Sequence, residues 1–206
     1  MTAASQTIRL EEALSDLIDY RGKSPPKSST GTPVISAKVV KAGRILRPIE
    51  QTIDPDYYQT WMTRGYPRPG DVVMTTEGPL GEVAQLDDET AKFAIAQRVV
   101  VLRGKPGVLD NTFLKFLLIS PLQQSILASF ATGTTVEGIS QKSLRSLPIR
   151  LPPYPEQCAI AEVLGTIDAK LELNRRMNET LETMARAIYK DWFIDFGPTR
   201  AKMEGR

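Results

Sequence analysis

The sequence predicts an α+β protein: a mixed α/β globule over residues 1–150, then a long α-helix over 151–196 that pairs with another helix. Three observations carry this. No proline interrupts the run from Pro155 to Phe196, and its only glycine is Gly165. Apolar residues in that run fall at Ile160, Leu164, Ile167 and Leu171, then Leu181, Ala185, Ile188 and Trp192, the alternating steps of four and three of a heptad seam. Upstream, short β-branched runs alternate with Gly- and Pro-rich turns. Continuing the seam through its middle lands on Asn174 and Asn178, and a polar Asn there weakens packing but fixes register and partner orientation. Roughly 40 residues at about 1.5 Å each make a rod about 60 Å long.

Taken in order, Leu10–Ile18 has apolar residues at 10, 13, 14, 17 and 18, the spacing of a short amphipathic helix. The loop YRGKSPPKSSTGTP follows, and Val34–Val40 predicts a strand with a Lys-Ala-Gly turn leading toward Arg44–Ile49. Pro-Gly-Asp turns into a strand at Val72–Met74, which ends in the polar tip Thr75, Thr76, Glu77, Gly78, Pro79 before another strand. Phe93–Leu102 reads as one strand interrupted by Gln97 and Arg98, a bulge or a functional face. Asn111–Ala131 is helical, with Ser120-Pro121 starting a second helix. A Gly/Thr loop then leads to a short helix capped by Ser140, and Leu147–Leu151 is the last strand. Residues 197–206 read as a tail or linker.

Composition closes many catalytic routes. The 206 residues contain no histidine, which removes the usual general base and the commonest transition-metal ligand. The lone Cys158 excludes an internal disulfide and a cysteine-built zinc site. No cofactor or metal is expected. No apolar run reaches membrane-spanning length and the first residues lack a signal-peptide layout, so a cytoplasmic setting away from membranes is expected. Net charge is only +2, yet from Arg21 to Arg47 there are seven basic residues and no acidic one, a local field suited to a polyanion.

The segments YRGKSPPKSSTGTPVISAKVVKAGRI, PGDVVMTTEGPLGEVA, AIAQRVVVLR and ATGTTVEGISQKSLRSLPIRLPPYPEQCAIAEVLGTIDAKLELN together resemble a type I restriction–modification specificity subunit over nearly the whole chain. The most specific part is the order of a Gly-Thr-Thr-x-x-Gly-Ile-Ser loop, a Leu-Pro segment, Pro-x-x-Glu-Gln and a long helix containing Ile167-Asp168. The resemblance implies a DNA-reading target recognition domain at about 1–150 and a helical conserved region at 151–196. It also implies docking to methyltransferase subunits, which methylate, and to restriction/translocase subunits, with no catalysis by this chain. A standard subunit has two such domains and two helices. This chain has one of each, which implies either a natural half-subunit or the front half of a longer protein.

Reading duplex sequence takes cations on phosphates for affinity and planar or bidentate groups at base edges for choice. The phosphate candidates are Arg21, Lys23, Lys27, Lys38, Lys41 and Arg44. The base-edge candidates are Thr75, Thr76 and Glu77, Gln97 and Arg98, and Thr134, Thr135, Gln141 and Lys142. For the Gly/Thr loop the competing role is capping the following helix. Two copies joined as an antiparallel coiled coil through Ile160, Leu164, Ile167, Leu171, Asn174, Asn178, Leu181, Ala185, Ile188 and Trp192 would form a two-fold homodimer facing inverted half-sites. Glu172, Arg175, Arg176 and Glu179 on the outer face remain for the methyltransferase.

Three rival readings compete with this one. A methyltransferase is disfavoured because Leu151 precedes Pro152-Pro153-Tyr154, where an acceptor for the extruded base belongs. A nuclease would need Asp87-Asp88-Glu89 with Lys92, which reads instead as a charged turn. A coiled-coil protein–protein adaptor without DNA reading is the third.

Overall fold

The chain opens with β1 (Gln6–Arg9), one turn of helix α1 (Leu10–Ala13) and β2 (Leu14–Asp19) in the computed structural model, which describes residues 5–22, 24–133 and 136–205. Four short strands follow: β3 (Thr32–Ile35), β4 (Val40–Lys41), β5 (Arg44–Ile45) and β6 (Thr52–Ile53). Next come α2 (Pro55–Trp61), the hairpin β7 (Val72–Thr76) and β8 (Leu80–Gln85), a 3-10 turn (Thr90–Lys92), β9 (Ala94–Ile95) and β10 (Val99–Gly104). The remainder is α3 (Asn111–Ile119), α4 (Pro121–Ser129), α5 (Gln141–Arg145), β11 (Pro148–Leu151), the long helix α6 (Tyr154–Tyr189), a π-helical turn (Lys190–Ile194) and α7 (Gly197–Met203). Two units divide the chain, Met1–Ala161 and Glu162–Arg206.

The first unit is built on the sheet β2-β10-β7-β8, in which every neighbouring pair is antiparallel. Strand side chains alternate between faces, and here each face meets its own core. Val72, Met74, Val83, Val100 and Leu102 join Leu114, Leu118 and Leu127 of α3 and α4. Val73, Ala84, Val99 and Val101 join Val34, Ile53 and Trp61 on the other side. Each fully buried aliphatic side chain of this kind contributes about 1.5–3 kcal/mol. Around this sheet, β3 pairs antiparallel with β6 and parallel with β9, while β1 pairs antiparallel with β11 from Gln6–Leu151 to Arg9–Pro148.

Two polar latches sit among these apolar layers. Buried Asp71 accepts from Arg103 Nε at 2.7 Å and Nη2 at 2.6 Å, and Arg103 Nη1 also reaches Asp16 at 3.0 Å, tying β2, β10 and the start of β7 together. Gln157 is 1% exposed in the first turns of α6. Its amide donates to Val108 O at 3.0 Å and Pro152 O at 2.9 Å, and its carbonyl accepts from Asp110 N at 3.1 Å. The Pro-x-x-Glu-Gln signal is therefore the clamp that holds the start of α6 on the globule, and Ala161 enters the same core one turn later.

Four local expectations change. The helix expected over Leu10–Ile18 lasts only through Ala13, because Leu14–Asp19 supplies a partner for β10. Leu17 packs toward one core and Ile18 toward the other, so this doubly covered strand lacks the apolar/polar alternation that would have marked it. The strand expected over Val34–Val40 stops at Ile35, and Ala37–Val39 form a turn. Phe93–Leu102 is two strands in two sheets, with Gln97 and Arg98 forming the turn between them rather than a bulge. The tail is helical over Gly197–Met203.

Gln157→Ala removes all three part-buried bonds, taking the Gln157 partner away from two carbonyls and one N–H. We expect a loss of about 2–4 kcal/mol in unfolding free energy, measured as a shift of the urea midpoint. An unchanged midpoint would show that the clamp contributes nothing.

Candidate nucleic-acid interface

The register of β7, β8 and β10 determines what lies at one end of the sheet. Val99 pairs with Thr75 as the last pair of that ladder, so the Gln97–Arg98 turn arrives beside the β7–β8 tip. Thr76 N donates to Arg98 O at 2.9 Å, and Ile139 N donates to Thr76 O at 2.9 Å. Glu77 and Gly138 form an antiparallel bridge, and Thr132 and Gly138 exchange two backbone bonds at 2.8 and 3.0 Å. Helix α5 starts directly after, with Ser140 Oγ accepting from Ser143 N at 3.0 Å, the cap expected from the sequence. Three segments remote in sequence thus share an edge carrying Glu77, Gln97, Arg98, Gln141 and Lys142. Arg98 Nε lies 2.7 Å from Glu77 Oε1, with the two side chains 50% and 45% exposed. Gln141 and Lys142 are exposed and Gln97 is half-buried.

Other expected contacts are placed differently. Thr75 is fully buried and its Oγ1 accepts from Glu82 N at 2.9 Å, so it holds the hairpin and is closed to a base edge. Thr76 is 2% exposed, and its hydroxyl is buried without a partner among the described residues. Arg21 also faces inward. Its Nη1 donates to Ile139 O at 2.6 Å, and its Nε sits 2.9 Å from Oδ2 of buried Asp19, an ion pair by distance without hydrogen-bond alignment. That places Arg21 as a strut between the end of β2 and the loop before α5 instead of as a phosphate contact. Lys27 and Lys38 line one open cleft of about 330 Å³ with Ser28, Ser36 and Thr52. Lys41 is exposed and Arg44 half-buried on the β4–β5 hairpin, which lies along β8 through the Gly43–Ala84 bridge, away from the tip. Lys23, Thr134 and Thr135 lie outside the described residues.

Residue type alone did not single out three participants. Arg64 donates to the backbone carbonyls of Asp19 and Arg21, bracing the strut from the other side. Gly78 and Gly138 border the Glu77–Arg98 pair: a Cβ on Gly78 would lie 3.4 Å from Arg98 Nη1, and one on Gly138 would lie 3.2 Å from Glu77 Cβ. The acidic turn is occupied by its own geometry. Asp87 Oδ1 accepts from Thr90 N and Thr90 Oγ1 at 2.7 Å each and from Glu89 N at 3.1 Å, while Arg47 holds Glu89 with bonds of 2.8 and 2.9 Å. Among the described residues, no group of three or more His, Cys, Asp or Glu is placed to hold a metal, and no helix is long and apolar enough to cross a membrane.

Of the seam residues, Ile160 packs against the globule's own core. Leu164 is half-buried, and Ile167, Leu171, Leu181, Ile188 and Trp192 are each 47–58% exposed. Asn174, Asn178 and Ala185 are exposed as well. Glu172 accepts from Arg176 Nε at 3.0 Å, one helical turn away.

The fold and this edge define a class of protein: a two-core α+β domain that gathers polar side chains at loop tips and is followed by one long helix. The chain belongs to the type I restriction modification DNA specificity domain family, whose model matches residues 11–183. It is 30% identical over 139 residues to the type I restriction enzyme HindI specificity subunit of Haemophilus influenzae, covering 66% of this chain and 30% of that protein. It is 29% identical over 129 residues to the MjaIX specificity subunit of Methanocaldococcus jannaschii, covering 63% and 29%. Its fold resembles the S subunit from M. genitalium (TM-score 0.61, 20% identity, 92% of this chain and 46% of that one). The HsdS subunit from Thermoanaerobacter tengcongensis is similar too (TM-score 0.55, 22% identity, 94% and 45%). The chain therefore spans about 30% of the length of these curated relatives and under half of these solved chains.

Burial opposes ionisation of Asp87, but the Thr90 hydroxyl, the Thr90 and Glu89 amides and nearby Arg47 outweigh it and hold the carboxyl below its ordinary range. A depressed folded pKa stabilises above the unfolded value, and the gain disappears as pH falls through the folded one. Asp87→Asn should therefore lower the urea midpoint at neutral pH, with a deficit that narrows as wild type is acidified through that window. A deficit independent of pH would assign the effect to shape rather than charge.

Proposed function

We propose that this chain reads double-stranded DNA for a type I restriction–modification complex. It would set the bipartite target that partner subunits methylate and cut, and leave catalysis to them. The observation that supports this most is the convergence of Glu77, Gln97, Arg98, Gln141 and Lys142 on one edge, in a chain of the DNA specificity family. Gln, Arg and Glu are the side chains that distinguish base pairs in the major groove, while Lys142, Lys27, Lys38 and Lys41 suit phosphates. The adaptor reading is not favoured, because the matched family model is a DNA specificity domain.

In this reading residues 1–150 form the target recognition domain and 151–196 the spacer. Two copies pair antiparallel through the exposed seam, with Asn174 and Asn178 near the middle of the rod. The methyltransferase docks on the outer face around Glu172, Arg175, Arg176 and Glu179, restriction subunits join that assembly, and the complex is cytoplasmic. The symmetric site of such a dimer mirrors its two-fold axis.

The deciding experiment purifies the chain with its methyltransferase partner and sequences the methylated sites. A palindromic bipartite motif is expected, an asymmetric one would point to a missing second half, and methylation without sequence preference would overturn DNA reading altogether. With the same complex, Lys142→Ala should reduce the slope of log affinity against log salt by about one. Leu171→Asp with Ile188→Asp should convert the dimer to monomer in sedimentation. A wild-type chain that sediments as monomer at micromolar concentration while methylation is intact would remove the paired rod.

A further inference from the structure

We infer that Glu77 and Arg98 act as one reading head for a single G·C base pair, a step that rests on the DNA-reading function proposed above. The two side chains come from different turns and are joined through Arg98 Nε and Glu77 Oε1 at 2.7 Å. The contact is an ion pair by distance, and beside it the two terminal nitrogens form a planar fork with no hydrogen-bond partner among the described residues. Such a fork matches O6 and N7 of guanine in the major groove. Adenine offers N7 beside an amino donor, which the fork opposes. Glu77 Oε2 remains an acceptor, and the cytosine N4 amino group lies beside guanine O6 across the same pair.

The surroundings favour a constructed head over a chance surface contact. Gly78 has a φ of +51°, a conformation L side chains rarely adopt, and a Cβ there would come into contact with Arg98 Nη1 at 3.4 Å. Gly138 leaves room on the Glu77 side, where a Cβ would stand 3.2 Å from Glu77 Cβ and 3.3 Å from Thr76 O. Backbone bonds from Thr76 to Arg98 and from Ile139 to Thr76 fix the segments that carry both side chains. An isolated carboxylate would be repelled by the DNA phosphates, whereas one already neutralised by arginine is not.

The test compares wild type, Arg98→Lys and Glu77→Ala in the complete complex with its methyltransferase partner, by sequencing methylated sites and by competition with DNAs altered at one position at a time. Lysine keeps the charge but lacks the fork. Both variants should lose about ten- to a hundredfold discrimination at the same G·C position and keep the rest of the motif. Relaxation at two different positions, at an A·T position, or nowhere would overturn the shared head. If a variant abolishes methylation, the competition assay decides, and an affinity loss equal for all altered sites counts against it. Wild-type methylation without any motif would instead remove the DNA-reading function itself.

Discussion

The alternation of side chains along β10 is the constraint on which the rest of the domain depends. Val99 and Val101 face one core while Val100 and Leu102 face the other, and both cores are closed. A slip of one residue would exchange those faces and break the pairing with β2 and β7 together, so the register is held from both sides. Asp71 and Arg103 reinforce it at one end of the sheet, where a buried carboxylate accepts two charged bonds from the arginine on β10. Removing either partner would strand a charge in the interior, which costs several kcal/mol.

The candidate interface follows from that register at the opposite end. With Val99 set against Thr75, the turn before β10 must lie beside the tip after β7, and the loop before α5 is bonded to the same tip. The groups proposed to read bases therefore need no binding energy to bring their segments together, since packing far from them has already positioned those segments. Their loops supply chemistry while the sheet supplies geometry, the usual division between a scaffold and its functional loops.

Much of this was legible in the sequence. Ser120, Pro121 and Ser140 announce helix starts by side-chain chemistry alone, and each cap forms as expected. The long helix was legible because a heptad pattern without proline has few other solutions. Leu10–Ile18 was misread because the end of β2 packs on both cores and lacks the polar alternation that marks a strand. Phe93–Leu102 was joined into one strand because β9 and β10 are both apolar and only their pairing assigns them to different sheets. Glu77 and Arg98 were recognisable by type, but their pairing joins residues 21 apart and exists only after the sheet forms. Polarity also says nothing about burial. Thr75 and Arg21 carry hydrogen-bonding groups suited to DNA, yet the structure turns those groups inward to hold a hairpin and a loop.

The long helix poses the complementary problem. Gln157 and Ala161 account for the burial of its first turns, but from Ile167 onward the seam leaves side chains such as Leu171, Leu181 and Ile188 about half exposed. A single-chain helix that only needed to be soluble would have little reason to repeat apolar residues every three or four positions over that length. It would have still less reason to place Asn174 and Asn178 in the same stripe, where they reduce the gain from burial. Both features fit the proposed pairing, which must be specific as well as stable. Aliphatic positions then supply the attraction, and the two asparagines disfavour registers in which they would face leucine. For a protein proposed to measure the distance between two half-sites, a shifted register would be a misread target, so some loss of stability at the centre of the rod is the physical consequence of holding that distance constant.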